Sequence, residues 1–285
     1  MRTKRGWGNG LLGVVIFSGS LPATRAAVSG FSPLFLTSAR AVIAAMLGAV
    51  CLAALRQPRP ARRDLLSLAI VALGVVAGFP LLTAVALQHI SAARSLVFIG
   101  LLPLSTAMFG VMRGGERPQP PFWFFSALGA ATVAGFALRN GADDSLAGDL
   151  PMLGAILLCG LGYAEGAVLT RRLGGWQVIS WALILPLPIM VVLALCSLPA
   201  DWHTIEIRAW LGLVYVSVFS MLLGFIFWYR GLSLGGIASV GQLQLLQPFL
   251  GLMLAALLLR EIVSWSMVLA TMLVVLCIAG ARRFA

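Results

Sequence analysis

The chain has 285 residues, of which 60% are hydrophobic and only 10% charged, and its mean hydropathy is +1.01. A soluble domain is roughly half apolar and a quarter charged, so this composition excludes one and places the chain in lipid. The formal net charge of +11 sits in short loops between apolar spans, which speaks for membrane topology and against a nucleic-acid-binding face.

At about 20 apolar residues per span, the chain reads as ten helices, over residues 7–24, 31–55, 65–88, 91–112, 121–139, 147–170, 176–198, 209–231, 236–259 and 264–282. The connections carry turn and cap chemistry: Gln57-Pro58-Arg59-Pro60, Gly114 to Pro118, Gly141 to Asp144, Gly174-Gly175, Pro199-Ala200-Asp201 and Gly235-Gly236. None is long enough to fold alone, so a single all-α integral membrane domain is expected. The first span, with a basic start and Ala-Thr-Arg-Ala-Ala at its end, has the outline of a secretory signal. It is retained as a span because Gly8, Phe17 and Arg25 align with Gly154, Tyr163 and Arg171 at one offset, and its loss would leave nine spans. Cys51, Cys159, Cys196 and Cys277 all fall inside apolar runs, as small core residues do, so neither a disulfide framework nor a metal site is implied.

The stretch from Gly224 to Glu261 has a diverged copy from Gly78 to Glu116. Both open with Gly-Phe, pass a small-residue pair (Ala92-Ala93, Ala238-Ser239), carry a proline deep in a second apolar span (Pro103, Pro248) and close on glutamate. The chain therefore divides into a first five-helix repeat, residues 1–141, and a second, 142–285. With the N-terminus inside, the cytoplasmic segments hold Arg2, Lys4, Arg5, Arg56, Arg59, Arg62, Arg63, Arg113, Arg117, Arg171, Arg172, Arg230, Arg282 and Arg283. The other side holds Arg25, Arg139, Arg208 and Arg260 with most of the acids, an asymmetry that places both termini in the cytoplasm. Five spans per half is an odd number, so the second half is inverted relative to the first, as in many secondary transporters.

These features together resemble the drug/metabolite transporter superfamily, in particular its ten-helix EamA-type branch: two five-helix halves, Arg40 in the second helix, the Ala-rich turns into helices 4 and 9, Pro103 and Pro248, and Glu116 and Glu261. Size and layout are most similar to the YddG-type amino-acid exporters. Those tend to carry aromatics just before the first helix-4 proline, where Leu101-Leu102 stand here. The resemblance implies a secondary transporter of the bacterial inner membrane that exports amino acids or similar small metabolites, with no cofactor and with membrane lipid as its surroundings.

Gln244 and Gln247, beside Gly241, Pro248 and Gly251, give helix 9 a polar, small-residue face. An unpartnered amide in hydrocarbon costs a few kcal/mol, so these amides face protein or water, as substrate ligands or as glue between helices. The matching face of helix 4 is Ser95, Phe98, Ile99 and Leu102, an apolar wall. Tyr163 lies too deep for an interfacial belt, which leaves cavity lining or core packing; Phe17 is its counterpart, and Phe79 is a further aromatic wall. Trp228 and Tyr229 adjoin Arg230 and read as interfacial. Glu165 is the one carboxylate well inside a span, a coupling group or a partner of the Arg171-Arg172 pair. Arg40, about nine residues inside helix 2, binds a substrate carboxylate or, the commoner fate, caps a neighbouring helix. His89 and Arg94 flank the turn between helices 3 and 4 and read as interfacial anchors. Pro103 and Pro248 each remove a backbone hydrogen bond and are candidate hinges. Gly74, Gly78, Gly160, Gly162 and Gly166 mark close helix packing.

A small-metabolite exporter leads. A broad multidrug efflux carrier is the alternative within transport, and a channel another class. An intramembrane enzyme fares badly: the spans hold no HExxH, no paired carboxylates and no Gly-x-Ser-x-Gly, and the chain has 2 histidines.

Overall fold

The computed structural model describes residues 2–114, 119–139, 146–235, 242–282 and 284; Glu116, Asp143, Asp144, Ala238, Ser239 and Gly241, named above, lie outside them. Among the described residues all regular structure is helical, which is what hydrocarbon demands, since each backbone amide must be satisfied within its own segment. The helices are α1 (Arg2–Ser18), α2 (Ser20–Ala27), α3 (Pro33–Ala54), α4 (Leu65–Val71), α5 (Phe79–His89), α6 (Ala92–Ile99), α7 (Leu102–Gly114), α8 (Pro120–Arg139), α9 (Leu146–Leu173), α10 (Gly175–Ile184), α11 (Leu187–Cys196), α12 (Ile207–Val214), α13 (Gly224–Gly235), α14 (Gln247–Leu259) and α15 (Trp265–Arg282).

Among the described residues six of the spans so formed are long and apolar enough to cross a membrane, and seven if α10 and α11, bent by 50°, count as one; Gln247–Leu259 and Trp265–Cys277 are shorter apolar helices. The expectation of ten spans is met only in part on this measure. Several expected helices are interrupted. The first breaks at Gly19 and the fourth at Gly100-Leu101, while the third and eighth run through π-helical stretches, Ala72–Gly78 and Tyr215–Leu223. The ninth opens as a 3-10 turn, Gln242–Leu246, before α14.

Helix starts follow local chemistry. Ser32 accepts from the Phe35 amide (3.2 Å) with Pro33 behind it, and Ser91 accepts from the Arg94 amide (3.1 Å). α1 packs chiefly on α13, α9 on α5 and α7, and α8 on α15. The bundle exterior is apolar, with Leu66, Val50, Ile189 and Leu257 all exposed, as suits lipid.

The small residues sit where expected. A Cβ on Gly74 would lie 2.5 Å from the Leu158 carbonyl and 2.8 Å from the Gly162 Cα, so α9 touches the π stretch backbone to backbone. Gly74→Ala should therefore cost about 1–3 kcal/mol through overpacking. Gly135→Ala, with nothing within 4 Å of its Cβ, should leave stability unchanged or slightly raised. Thermal unfolding of the two purified variants in detergent checks this; equal midpoints would show that the contact yields freely.

Candidate functional site

An enclosed cavity of about 30 Å³ lies among helices drawn from both parts of the chain. α1 and α2 bring Phe17 before the break at Gly19 and Ser20 and Leu21 after it. Gly19 is required there, because a Cβ would stand 2.4 Å from the Tyr215 hydroxyl, which donates to the Ile16 carbonyl beside the break (2.8 Å). Val75 in the first π stretch and Phe79 just after it form a second wall. Ser220 and Met221 in the other π stretch, with Phe225 just after it, face the cavity in the same way. Leu102 follows the break in the fourth helix, and Gln247 opens α14. Cys159 and Tyr163, four residues apart on α9, share one face and complete the lining with Arg40 of α3.

Phe225 is the centre of an aromatic cluster, with ring centroids 5.0 Å from Phe17, 5.9 Å from Tyr163 and 5.5 Å from Tyr229. The Ser20 and Ser220 hydroxyls are 2.7 Å apart, and Arg40 Nη2 donates to Ser220 Oγ at 3.5 Å. Arg40 is only 4% exposed and its Nε has no hydrogen-bond partner. A volume of 30 Å³ holds about two water molecules. Ligand pockets measure about 300–1,000 Å³, so the space between these walls is well below the size a metabolite needs.

Of the residues expected from sequence, Phe17, Arg40, Phe79, Tyr163 and Gln247 meet around this cavity. Gln244 is buried with its Nε2 unpartnered but is not part of the lining. Of the expected helix-4 face, Leu102 lines the cavity, while Ser95, Phe98 and Ile99 are buried outside the lining, with Ser95 Oγ donating to its own helix at the Ser91 carbonyl. Arg40 does not cap a helix, since its bond among the described residues goes to Ser220. Trp228 and Tyr229 are 2% and 1% exposed, core residues rather than an interfacial belt, because α13 turns that face onto α1, Gly166 and Gly175. Glu165 is buried and engaged on α9, away from the cavity lining. Pro248 is not in mid-helix: it stands in the first turn of α14, where a missing N–H goes unnoticed, and Pro103 likewise is the second residue of α7.

Sequence reasoning missed Ser20, Cys159, Ser220, Met221 and Phe225 as lining. Phe225 carried a signal, being the partner of Phe79 in the two Gly-Phe pairs. The two serines carried none, since a single hydroxyl in an apolar run ordinarily bonds the preceding turn.

At one end of the bundle two contacts join distant parts of the chain. Glu261 accepts from the Ala92 and Ala93 amides (3.1 and 2.8 Å), capping α6. Arg94 is corrected from an interfacial anchor to a buried residue: its Nε and Nη2 donate to Asp149 Oδ1 and Oδ2 (2.9 and 2.6 Å), and it lies over the Phe136 ring. His89 is exposed there. Beside them is a larger cavity of about 520 Å³, lined by Arg25, Ser29, Gln88, Arg208 and Glu261 among others. At the opposite end Arg172 pairs with buried Asp64 (2.6 Å) and Gln177 bonds Gln57 (3.2 Å).

Asp149→Asn leaves the Arg94 guanidinium buried beside a neutral group, and breaking such a pair costs about 3–5 kcal/mol. The variant should unfold well below the parent, and Arg94→Met combined with Asp149→Leu should recover most of the loss. Thermal unfolding of the four proteins in detergent measures this; an Asp149→Asn midpoint equal to the parent would mean the pair contributes nothing.

The sequence profile of the EamA-like transporter family matches the chain twice, over residues 5–138 and 146–282. The chain is 62% identical over 284 residues to the "Uncharacterized transporter YdeK" of Bacillus subtilis (strain 168), covering 100% of this chain and 99% of that one. It is 24% identical over 242 residues to the "Probable terminal-alkyne amino-acid exporter" of Streptantibioticus cattleyicolor, covering 84% of this chain and 80% of that one. A solved crystal structure superposes with a TM-score of 0.69 at 18% identity, covering 100% of both chains, a likeness of fold.

Proposed function

The chain belongs to the EamA-like transporter family, a multi-pass membrane transporter, and on that premise we propose that it is a secondary carrier exporting small metabolites, amino acids foremost, across the cytoplasmic membrane by alternating access. One observation carries the reading: the cavity lies between the two family-matched segments. Residues 5–138 supply Phe17, Arg40 and Phe79, and residues 146–282 supply Tyr163, Phe225 and Gln247. A carrier binds its substrate where two halves meet and exposes it by rocking one against the other. Tyr163, Gln247, Phe79 and Phe17 are the substrate contacts in this reading, and Gln244 joins them when the walls part.

Amino acids are preferred as substrates because one relative is named for exporting one. The two π stretches, each running up to a Gly-Phe pair whose Phe lines the cavity, support two like halves, residues 1–141 and 142–285. With five spans in each, the halves are inverted, and the distribution of arginine and lysine puts both termini in the cytoplasm. The breaks before Pro103 and Pro248 are the flexing points. Glu261 and the Arg94–Asp149 pair then hold shut the outer end.

Radiolabelled amino acids in proteoliposomes test the carrier directly, since only a carrier accelerates tracer uptake against unlabelled substrate inside. Tyr163→Ala and Gln247→Ala should each lower counterflow at least about tenfold while staying monodisperse, as expected for groups that bind at the midplane. Absence of counterflow for every amino acid would refute the amino-acid reading.

For orientation, His203→Cys in an otherwise cysteine-free protein should react with an impermeant maleimide in intact cells, because the loop holding exposed His203 is external in this topology. Labelling only after the cells are permeabilised would invert the topology.

A further inference from the structure

The most unusual group in the cavity is Arg40. A guanidinium carries five N–H donors and stays charged, so a buried one is ordinarily matched by a carboxylate or by several carbonyls. Arg40 is 4% exposed, and its hydrogen bond among the described residues is a long one, 3.5 Å, to Ser220 Oγ. Its Nε has no acceptor, and among the described residues no carboxylate pairs with it. Ser220 is itself held by Ser20 at 2.7 Å, so the serine pair steadies the guanidinium from one side and leaves it without a counter-charge.

The rest of the lining sharpens the argument. It offers hydroxyls and an amide, from Ser20, Ser220, Tyr163 and Gln247, and apolar surface from Phe17, Phe79 and Phe225, and no acid among the described residues. Burying a lone charge is costly, and the cost is removed when an anion arrives. A ligand that brings one carboxylate and a short apolar tail would match both halves of this wall. A bare amine would meet a like charge and no anion, and a dicarboxylate would leave its second charge unmatched.

We propose that Arg40 is the substrate's carboxylate anchor, so that this carrier takes monocarboxylates with a short apolar chain and treats the α-amino group of an amino acid as dispensable. The inference rests on the cavity being the transport site, as proposed above. Carboxylate oxygens approach Nε and Nη2 of Arg40 in the forked geometry that a guanidinium favours, with a serine hydroxyl available as a further donor. The apolar chain lies against Phe79 and Phe225. Arg40 acts here as a specificity-determining residue, because it separates acids from their amides and amines by charge.

The test uses four probes that share an isobutyl group, L-leucine, 4-methylpentanoate, 4-methylpentanamide and 3-methylbutylamine, with the full-length protein purified in detergent and binding read by calorimetry. The parent protein should bind leucine and 4-methylpentanoate at least tenfold more tightly than the amide or the amine. Arg40→Gln should lose that preference, and Arg40→Lys should keep part of it. Ligand-free Arg40→Gln should unfold at or above the parent's temperature, since it removes an unmatched charge, whereas a structural arginine would take stability with it. Equal binding of acid and amide by the parent, a preference surviving in Arg40→Gln, or no binding of either acid each overturns the anchor. Counterflow separates this from the carrier reading. Transport of the amine as readily as leucine sinks the anchor and leaves the carrier, while an intact acid preference without any counterflow sinks the carrier and leaves the anchor.

Discussion

Backbone that departs from α-helical hydrogen bonding is tolerated at membrane depth only where protein or a cavity, not lipid, meets it. This constraint organises the molecule. The break at Gly19, the π stretches Ala72–Gly78 and Tyr215–Leu223, the break at Gly100-Leu101 and the 3-10 turn Gln242–Leu246 all adjoin residues that line one small cavity. Among the described lining residues, Arg40, Cys159 and Tyr163 reach it from uninterrupted helices. Irregularity is thus gathered at the centre, and the regular outer helices, with exposed residues such as Phe124 of α8 and Leu276 of α15, face hydrocarbon.

The contacts at the end of the bundle that carries Arg94 follow a related logic. The first amides of a helix lack partners of their own, and a helix starting at depth needs an acceptor. Glu261, 169 residues from Ala92, supplies it. Arg94, two residues further on, finds Asp149 at the start of α9. Two buried charges and one helix start are therefore satisfied by residues from the other family-matched segment, so this end coheres only when both segments are in register.

Much of this was legible in the sequence because lipid simplifies the code: composition gave the solvent, hydropathy gave the helical stretches and small residues marked close helix packing, though not which helices meet. The Gly-Phe repeat pointed to Phe79 and, in hindsight, to Phe225. What periodicity could not supply was where a helix changes pitch. Extending an α-helical face from Pro103 back through Ser95 put Ser95, Phe98 and Ile99 on the cavity, but the turn at Gly100-Leu101 rotates them into the core. Trp228 and Tyr229 were turned outward for another reason, their place beside Arg230, which does not say which face α13 packs on α1. Arg94 and Asp149 were hidden for a different reason, since each alone looks like an ordinary residue at a membrane surface and only folding brings them together.

Each π stretch has a consequence of its own. A π turn holds one residue more than the α-helical turn between the same ends, so returning it to α geometry means passing a single residue along the chain. In an α-helix one residue is about 1.5 Å of rise and about 100° of rotation. Phe79 and Phe225 stand one and two residues beyond the two stretches, so a one-residue slip would swing either ring from the cavity to another face of its helix. The aromatic wall is in effect mounted on two screws, and a small axial movement of α5 or α13 is converted into a large lateral change in the shape of the space between them.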